Sequence, residues 1–464
     1  MSANYFGLAA DAYTWALAGA LGVGWAASLR LCPAWRRAGL WAVPMSLFGC
    51  VWLGFGVDFV LRFAILAYDS VTFGNATYRL ANRPARVIND TLLLTVGFWM
   101  SLCIGFACGV RRRSSGPYRA LTAVAPPAAM SSAPAVTVAA SLCLLLAYGP
   151  IETVAALFTP LVTVGRLWTV PATLVWWEYL HTGKGSTLRW LVLLPGVLHA
   201  WFSPYREHLV LIVLVPFLAA VFAGRRFRLS TLALATAILL VVSTALIEVG
   251  RELAWSGKNM ETALSDTGWN RWGEDPELSP WVKVVRRFHG LDSFLLTVDL
   301  VPSAFEHSDR EVFLSSLTRG LVPRLLNPEK EGSTRALDFS QSIWVEDGAG
   351  SPAAIAPSMP GDLYEAGGPL YVLLGGLLWG LVVGLCDGWN KHTPPRIAAV
   401  VTAVFASSCA FSSERDFAHT VSTLIQTHLV MIAVALAMIG RTQIQRLRSG
   451  ARAPTVVQSG RLGA

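Results

Sequence analysis

GLVPRLLNPEKEGSTRALDFSQSIWVEDGAGSPAAIAPSMPGDLYEAGG, residues 320–368, lies in the one long polar interval of a chain otherwise made of apolar runs and short basic connectors. That interval, residues 251–367, carries eleven basic and eighteen acidic side chains, a net charge of −7. The whole chain carries +8, so the remainder sums to +15. The split suggests two faces of a membrane, with any chemistry on the side of the acidic loop.

Composition places the rest of the chain in a bilayer. Hydrophobic residues make up 54% of the 464 and charged residues only 14%, against about 25% charged in soluble globular domains. The basic surplus sits in clusters beside apolar runs, as the positive-inside rule requires, which argues against a nucleic-acid partner. Seven cysteines lie in or beside apolar runs and form no disulfide frame or zinc pattern. The first residues, MSANYFGLAADAYTW, lack a basic leader region, so the first apolar run is expected to stay as a helix.

Taken in order, the apolar runs predict an all-α, polytopic membrane protein of about eleven transmembrane helices. They fall near 8–29, 39–61, 91–110, 135–150, 158–180, 188–203, 207–223, 230–250, 368–386, 396–412 and 420–439. Residues 1–250 hold helices one to eight, residues 251–367 one large extracytoplasmic loop acting as a lid, residues 368–440 helices nine to eleven. Residues 441–464 form a disordered, basic cytoplasmic tail. Connectors at Arg30/Arg36/Arg37, Arg111/Arg112/Arg113, Lys184/Arg189, Arg225/Arg226/Arg228 and Lys391/Arg396 all fall on one side in this arrangement. Within the loop, residues 284–301 have apolar spacing close to a helical period, with Arg286, Arg287, Asp292 and Asp299 offset, which predicts a helix lying at the membrane mouth. Residues 310–321 predict a second short helix, ended by Pro323.

Charged groups gather on the loop side. Arg206, in the short turn WFSPYREHLV, stands at a helix start, where a cation opposes the helix dipole; it suits an anion site better than a capping role. Arg286 and Arg287 are adjacent, so one of them can face the bundle while the other meets water. Arg166 has no partner nearby in sequence and lies towards the same compartment. Between two apolar runs, Ser413-Glu414-Arg415-Asp416, followed by His419, forms a second charged turn. Asp58 and Arg62, four apart on one helix face, can pair with each other, and His199 reads as a packing residue.

Two loop segments carry a family resemblance. Pro323-Arg324 followed by Pro328 and Lys330, and then Pro357-Ser358, Gly361-Asp362, Tyr364 and Gly367 leading into an apolar run, resemble the bacterial oligosaccharide repeat-unit polymerases of the Wzy-type, or O-antigen, family. Asn327 stands where members often have Trp, and Asp362 where Glu is common. The resemblance implies polymerisation of polyprenyl-pyrophosphate-linked oligosaccharide repeat units into a surface polysaccharide at the outer face of the bacterial plasma membrane. Donor and acceptor are both lipid-linked oligosaccharides, no metal or cofactor is implied, and a chain-length regulator and a flippase are expected partners besides membrane lipid. Arginine suits the pyrophosphate leaving group because its planar fork binds phosphate oxygens in pairs and stays charged. Arg206, Arg287 and Arg324 are the expected phosphate contacts. Asp362 and Glu414 are the expected catalytic carboxylates, and Arg166, Lys330, Tyr364, Arg415, Asp416 and His419 the expected substrate contacts. A glycan ligase of the O-antigen kind, or a transporter of lipid-linked glycans, are the alternatives.

Overall fold

The computed structural model describes residues 11–32, 46–68, 84–111, 127–148, 167–183, 187–202, 207–223, 290–304, 306–308 and 357–390. To these it adds positions 43, 161, 164, 165, 262, 282, 285, 315, 318, 402, 417, 420, 421 and 424. Ten helices can be followed among the described residues: α1 (Ala12–Ser28), α2 (Leu47–Tyr68), α3 (Ala85–Arg111), α4 (Pro127–Tyr148), α5 (Thr169–Thr182), α6 (Leu188–Leu191), α7 (Leu194–Phe202), α8 (Glu207–Phe222), α9 (Gly290–Leu300) and α10 (Met359–Asn390). All the described secondary structure is helical.

The expectation of about eleven membrane helices is corrected here. Among the described residues three helices, α2, α3 and α10, are long and apolar enough to cross a membrane. Apolar run length overstates helix length. The run around 158–180 gives a 14-residue helix among the described residues, followed by Gly183, whose φ of +71° favours glycine; most of residues 158–166 lie outside the described residues. The run around 188–203 is divided at Val192 and Leu193 into four- and nine-residue helices, and the run at 207–223 gives 16 residues, with Pro216 inside the helix. At 1.5 Å per residue such helices reach about 24 Å or less, short of a hydrocarbon core of about 30 Å. The runs expected at 230–250, 396–412 and 420–439 lie outside the described residues or touch them only at single positions.

Among the described helices, α3 and α10 pair most intimately. Along α10, Gly376, Gly380, Gly384 and Gly388 recur every fourth residue, and α3 answers with Gly97, Ser101, Gly105 and Gly109. A Cβ on Gly105 would collide with the Leu377 carbonyl, and one on Gly380 with the Leu102 carbonyl. The two backbones therefore touch, as in small-residue packing of membrane helices. Contacts advance in register from Gly97–Leu373 to Gly109–Leu381, so the helices run parallel. They end together, as the basic connectors at Arg111 and Lys391 imply.

α2 runs the other way. Phe48 packs on Phe106 at 4.3 Å between ring centroids and Phe55 stacks on Trp99 at 4.3 Å, so position rises on one helix as it falls on the other. Its N-terminus meets the far end of α10. Asp387 accepts from the backbone N–H of Leu47 (2.8 Å) and of Phe48 (3.0 Å), and Ser46 Oγ accepts from Gly49 N (3.0 Å). Three of the four donors that a helix start leaves open are thus met, two of them by a carboxylate on the favourable side of the dipole. Asp387→Ala is expected to lower stability by about 2–3 kcal/mol, with Asp387→Asn losing less, as read from thermal unfolding in detergent.

α1 lies beside α3. Thr14 Oγ1 donates to Asn89 Oδ1 (2.6 Å), and Trp25 and Trp52 exchange indole N–H bonds with each other's carbonyls while their rings stack at 4.1 Å. Asp11 caps α1; the Thr14 N–H on its carboxylate (2.7 Å) holds that carboxyl below its ordinary value. On the outward faces of α3 and α10, Met100, Ile104, Leu370, Leu374 and Leu378 are exposed. Such a face suits lipid and would be costly in water.

Helices α4, α5, α7 and α8 pack on one another. At one end of this group the Arg189 guanidinium lies 3.7 Å over the Tyr179 ring, with Trp176 and Trp190 at 5.4 and 5.2 Å. Trp, Tyr and Arg gathered at helix ends are the residues found at membrane–water boundaries.

Candidate functional site

The polar interior sits where α9 meets α2 and the start of α10. Expected as a surface helix at the membrane mouth, α9 is instead enclosed: Gly290 to Thr297 are all buried. Its apolar stripe is only part of the reason. Asp292, Ser293 and Thr297, all 0% exposed, are taken inside because partners there satisfy them.

The first partner is Arg62, also 0% exposed. Its Nε donates to Asp292 Oδ2 at 2.6 Å and its Nη1 to the Val285 carbonyl at 3.1 Å. Sequence spacing offers Asp58 as the local partner of Arg62; the structure adds an ion pair with Asp292 that spans 230 residues. Burial pushes the Asp292 carboxyl above its ordinary value, with the Arg62 charge acting against that rise. Charges inside a membrane bundle are costly and mark functional regions by default.

The second element is the motif at the head of α10. Asp362 N donates to the Ser358 carbonyl (2.8 Å), and the Ser358 hydroxyl accepts from Gly361 N (3.4 Å). A Cβ at Gly361 would lie 3.2 Å from Thr297 Oγ1 and 3.6 Å from the Phe294 backbone, so glycine lets α9 approach this closely. Tyr364, half-buried, sets its ring edgewise to Phe294 (6.3 Å) and to His307 (5.7 Å). Then α10 breaks: Gly367 and Gly368 leave helical geometry, Gly368 at φ +71°, and Pro369 opens the long apolar part. The carbonyls freed at the break are met from outside. His307 Nδ1 donates to Tyr364 O (3.0 Å), and Ser308 N donates to Glu365 O (2.9 Å). A broken helix is tolerated at membrane depth where its loose backbone groups find such partners.

Asp362 is 0% exposed, and its Oδ2 accepts from the backbone N–H of Phe417 at 2.8 Å. Phe417 follows Glu414-Arg415-Asp416 directly in the sequence. Of the other sequence-derived candidates, Tyr364 lies two residues beyond Asp362 on the same short helical stretch. Arg166, Arg206, Arg287, Arg324, Lys330, Glu414, Arg415, Asp416 and His419 lie outside the described residues.

Sequence reasoning missed Arg62 as an anchor of the loop, and it offered His307 as a candidate base without its contact at the break. No local spacing marks either contact. The Gly367-Gly368-Pro369 triplet is a signal for the break, and the four-residue glycine period in α10 for its partner helix.

Together these features define an all-α protein with membrane-spanning helices, a broken span and a buried polar cluster at its head. A family model described as a domain of unknown function (DUF8712) matches residues 133–386, more than half of the chain, and the chain belongs to that family. The match runs from α4 through the loop into α10. No curated protein and no solved structure matches the chain.

Proposed function

We propose that this protein joins polyprenyl-pyrophosphate-linked oligosaccharide repeat units into a longer glycan at the outer face of the bacterial plasma membrane. An acceptor hydroxyl oxygen attacks the anomeric carbon of the donor glycan, the bond from that carbon to the pyrophosphate oxygen breaks, and the hydroxyl proton passes to a carboxylate. Polyprenyl pyrophosphate leaves. Arg206, Arg287 and Arg324 are the cations offered to it, and the segment from Glu414 to His419 is the one offered for the proton.

The observation that carries this reading is the Asp362–Phe417 bond (2.8 Å) at the head of a broken membrane helix. It ties the turn of Ser358 and Asp362 to Phe417, which follows the acidic turn read from the sequence at Glu414-Arg415-Asp416. Asp362 itself then serves to hold Phe417, and Glu414 and Asp416 are the better bases, since a base must reach the acceptor hydroxyl.

Arg324→Ala and Arg206→Ala test it. Each variant is expected to insert in the membrane and to slow chain growth by about 10²–10³, the usual loss on removing one group that stabilises developing charge. The product is then single repeat units. Wild-type chain lengths from both variants would contradict the assignment of these arginines.

A further inference from the structure

Where α5 ends and α6 begins, four side chains meet that the glycosyl-transfer reading does not use: Trp176, Tyr179, Arg189 and Trp190. The Arg189 guanidinium lies 3.7 Å over the Tyr179 ring, with Trp176 and Trp190 at 5.4 and 5.2 Å, and the two indoles stand perpendicular at 5.1 Å. Arg189 Nε and Trp176 Nε1 are buried atoms, and neither has an acceptor among the described residues. We propose that this cluster binds the phosphate of a membrane phospholipid, whose acyl chains lie along the exposed apolar stripe of α6 and α7. The proposal stands apart from the glycosyl-transfer reading and does not depend on it.

The chemistry of the two groups defines what fits them. An indole nitrogen and a guanidinium can only donate hydrogen bonds. Their ligand must therefore bring acceptor oxygens, and the charge of Arg189 favours an anion. Buried donors without an acceptor are destabilising, and in native proteins nearly all are paired. Arg189 forms no ion pair with a carboxylate among the described residues, so its charge is not neutralised there. Stacking on aromatic rings occupies the face of a guanidinium, while its N–H groups lie in the plane and point from the edge. Nε and a neighbouring Nη then form a fork that matches two oxygens of one phosphate.

The apolar stripe selects a lipid over a free phosphate. Leu191, Leu194 and Val197 are exposed at every third position, starting two residues after Arg189. Val192, Leu193 and His199 are buried instead, and a Cβ at Gly196 would overlap the Trp168 ring. One edge of α6 and α7 thus packs into the bundle and the other turns away from it. An outward apolar edge on a membrane protein meets acyl chains, and aromatic residues with a polar tip gather at the level of the headgroups. A free phosphate would use the donors alone. A phospholipid uses the donors and the stripe together.

Full-length protein in detergent micelles is titrated with three probes and the bound species are counted by native mass spectrometry. The probes are dioleoylphosphatidylglycerol, dioleoylglycerol, which has the chains without the phosphate, and inorganic phosphate, which has no chains. Wild type is expected to bind the phospholipid about tenfold or more tightly than either of the others. Arg189→Ala should weaken phospholipid binding by about tenfold or more, and Arg189→Lys, which keeps the charge without the fork, should weaken it as well. Trp176→Phe keeps a ring and removes the N–H, for an expected loss of about threefold to tenfold. Thermal unfolding in detergent alone checks each variant, and the two conservative ones carry the test should Arg189→Ala not accumulate. Wild-type affinity in any well-folded variant of the three would overturn the site. Equal binding of the phospholipid and dioleoylglycerol would mean apolar association only and would also overturn it. Inorganic phosphate bound as tightly as the phospholipid would overturn the lipid assignment and make free phosphate the ligand.

Discussion

Arg62→Ala lowers the stability of the folded protein by about 3–5 kcal/mol, the range for stripping one partner from a buried ion pair. The loss comes mostly from the groups left behind. Asp292, 0% exposed, would keep a carboxylate in the interior with its cation gone, and the Val285 carbonyl would lose its donor. The size of the loss depends on pH with a definite sign. Burial already raises the Asp292 carboxyl in the folded state, and without Arg62 it rises further. A carboxyl raised on folding costs stability as pH climbs from its unfolded value towards its folded one. The Arg62→Ala deficit should therefore be larger at pH 7 than near pH 4. Thermal unfolding in detergent at the two pH values measures it. Arg62→Met combined with Asp292→Leu should recover most of the loss, and a deficit as large as in Arg62→Ala would mean that this ion pair is not what holds α9 to α2.

Gly105→Leu and Gly380→Leu each separate α3 from α10. At both positions a Cβ would overlap a carbonyl oxygen of the facing helix, and the obstacle is backbone, which has no rotamer to yield. Overpacking of a close-packed interior costs about 1–3 kcal/mol when side chains can adjust, and here the upper end of that range, about 3 kcal/mol, is expected. Gly19, which faces open space within 4 Å, gives the control: Gly19→Leu should leave the unfolding midpoint unchanged. Midpoints indistinguishable among the three variants would contradict the close helix pairing. Because α10 carries the Ser358–Asp362 turn at its head, loss of this pairing should also weaken whatever function that turn supports.

The spans that proved long enough were legible as apolar runs: 39–61, 91–110 and 368–386 fall within or beside Leu47–Tyr68, Ala85–Arg111 and Met359–Gly388. Their ends were less so. The loop motif at 359–366 continues as helix up to the break at Gly367, so α10 begins well before its apolar part. Among the described residues other runs fall short because hydropathy does not register where a helix stops: the Val192–Leu193 turn divides one, and Glu207–Phe222 ends after 16 residues. Asp362 and Tyr364 stand out through the motif pattern, yet the pattern suggests a substrate-facing acid where the structure has a buried acceptor for Phe417. Contacts such as Arg62 to Asp292 and Asp387 to Leu47 cross 230 and 340 residues. No periodicity within one sequence reports on a pairing of that range. The sequence does hold the reason those pairings are tolerated: glycines where α3 and α10 come close, and a carboxylate, Asp387, where the start of α2 needs an acceptor.

The most direct test of glycosyl transfer is reconstitution of the purified protein in liposomes with a synthetic polyprenyl-pyrophosphate-linked oligosaccharide. Products are separated by size, and released polyprenyl pyrophosphate is measured alongside. A ladder of glycans, one repeat unit apart, appearing with stoichiometric release of polyprenyl pyrophosphate is the predicted result. Movement of the intact lipid-linked unit across the bilayer, with neither ladder nor release, would contradict glycosyl transfer and identify a transporter instead.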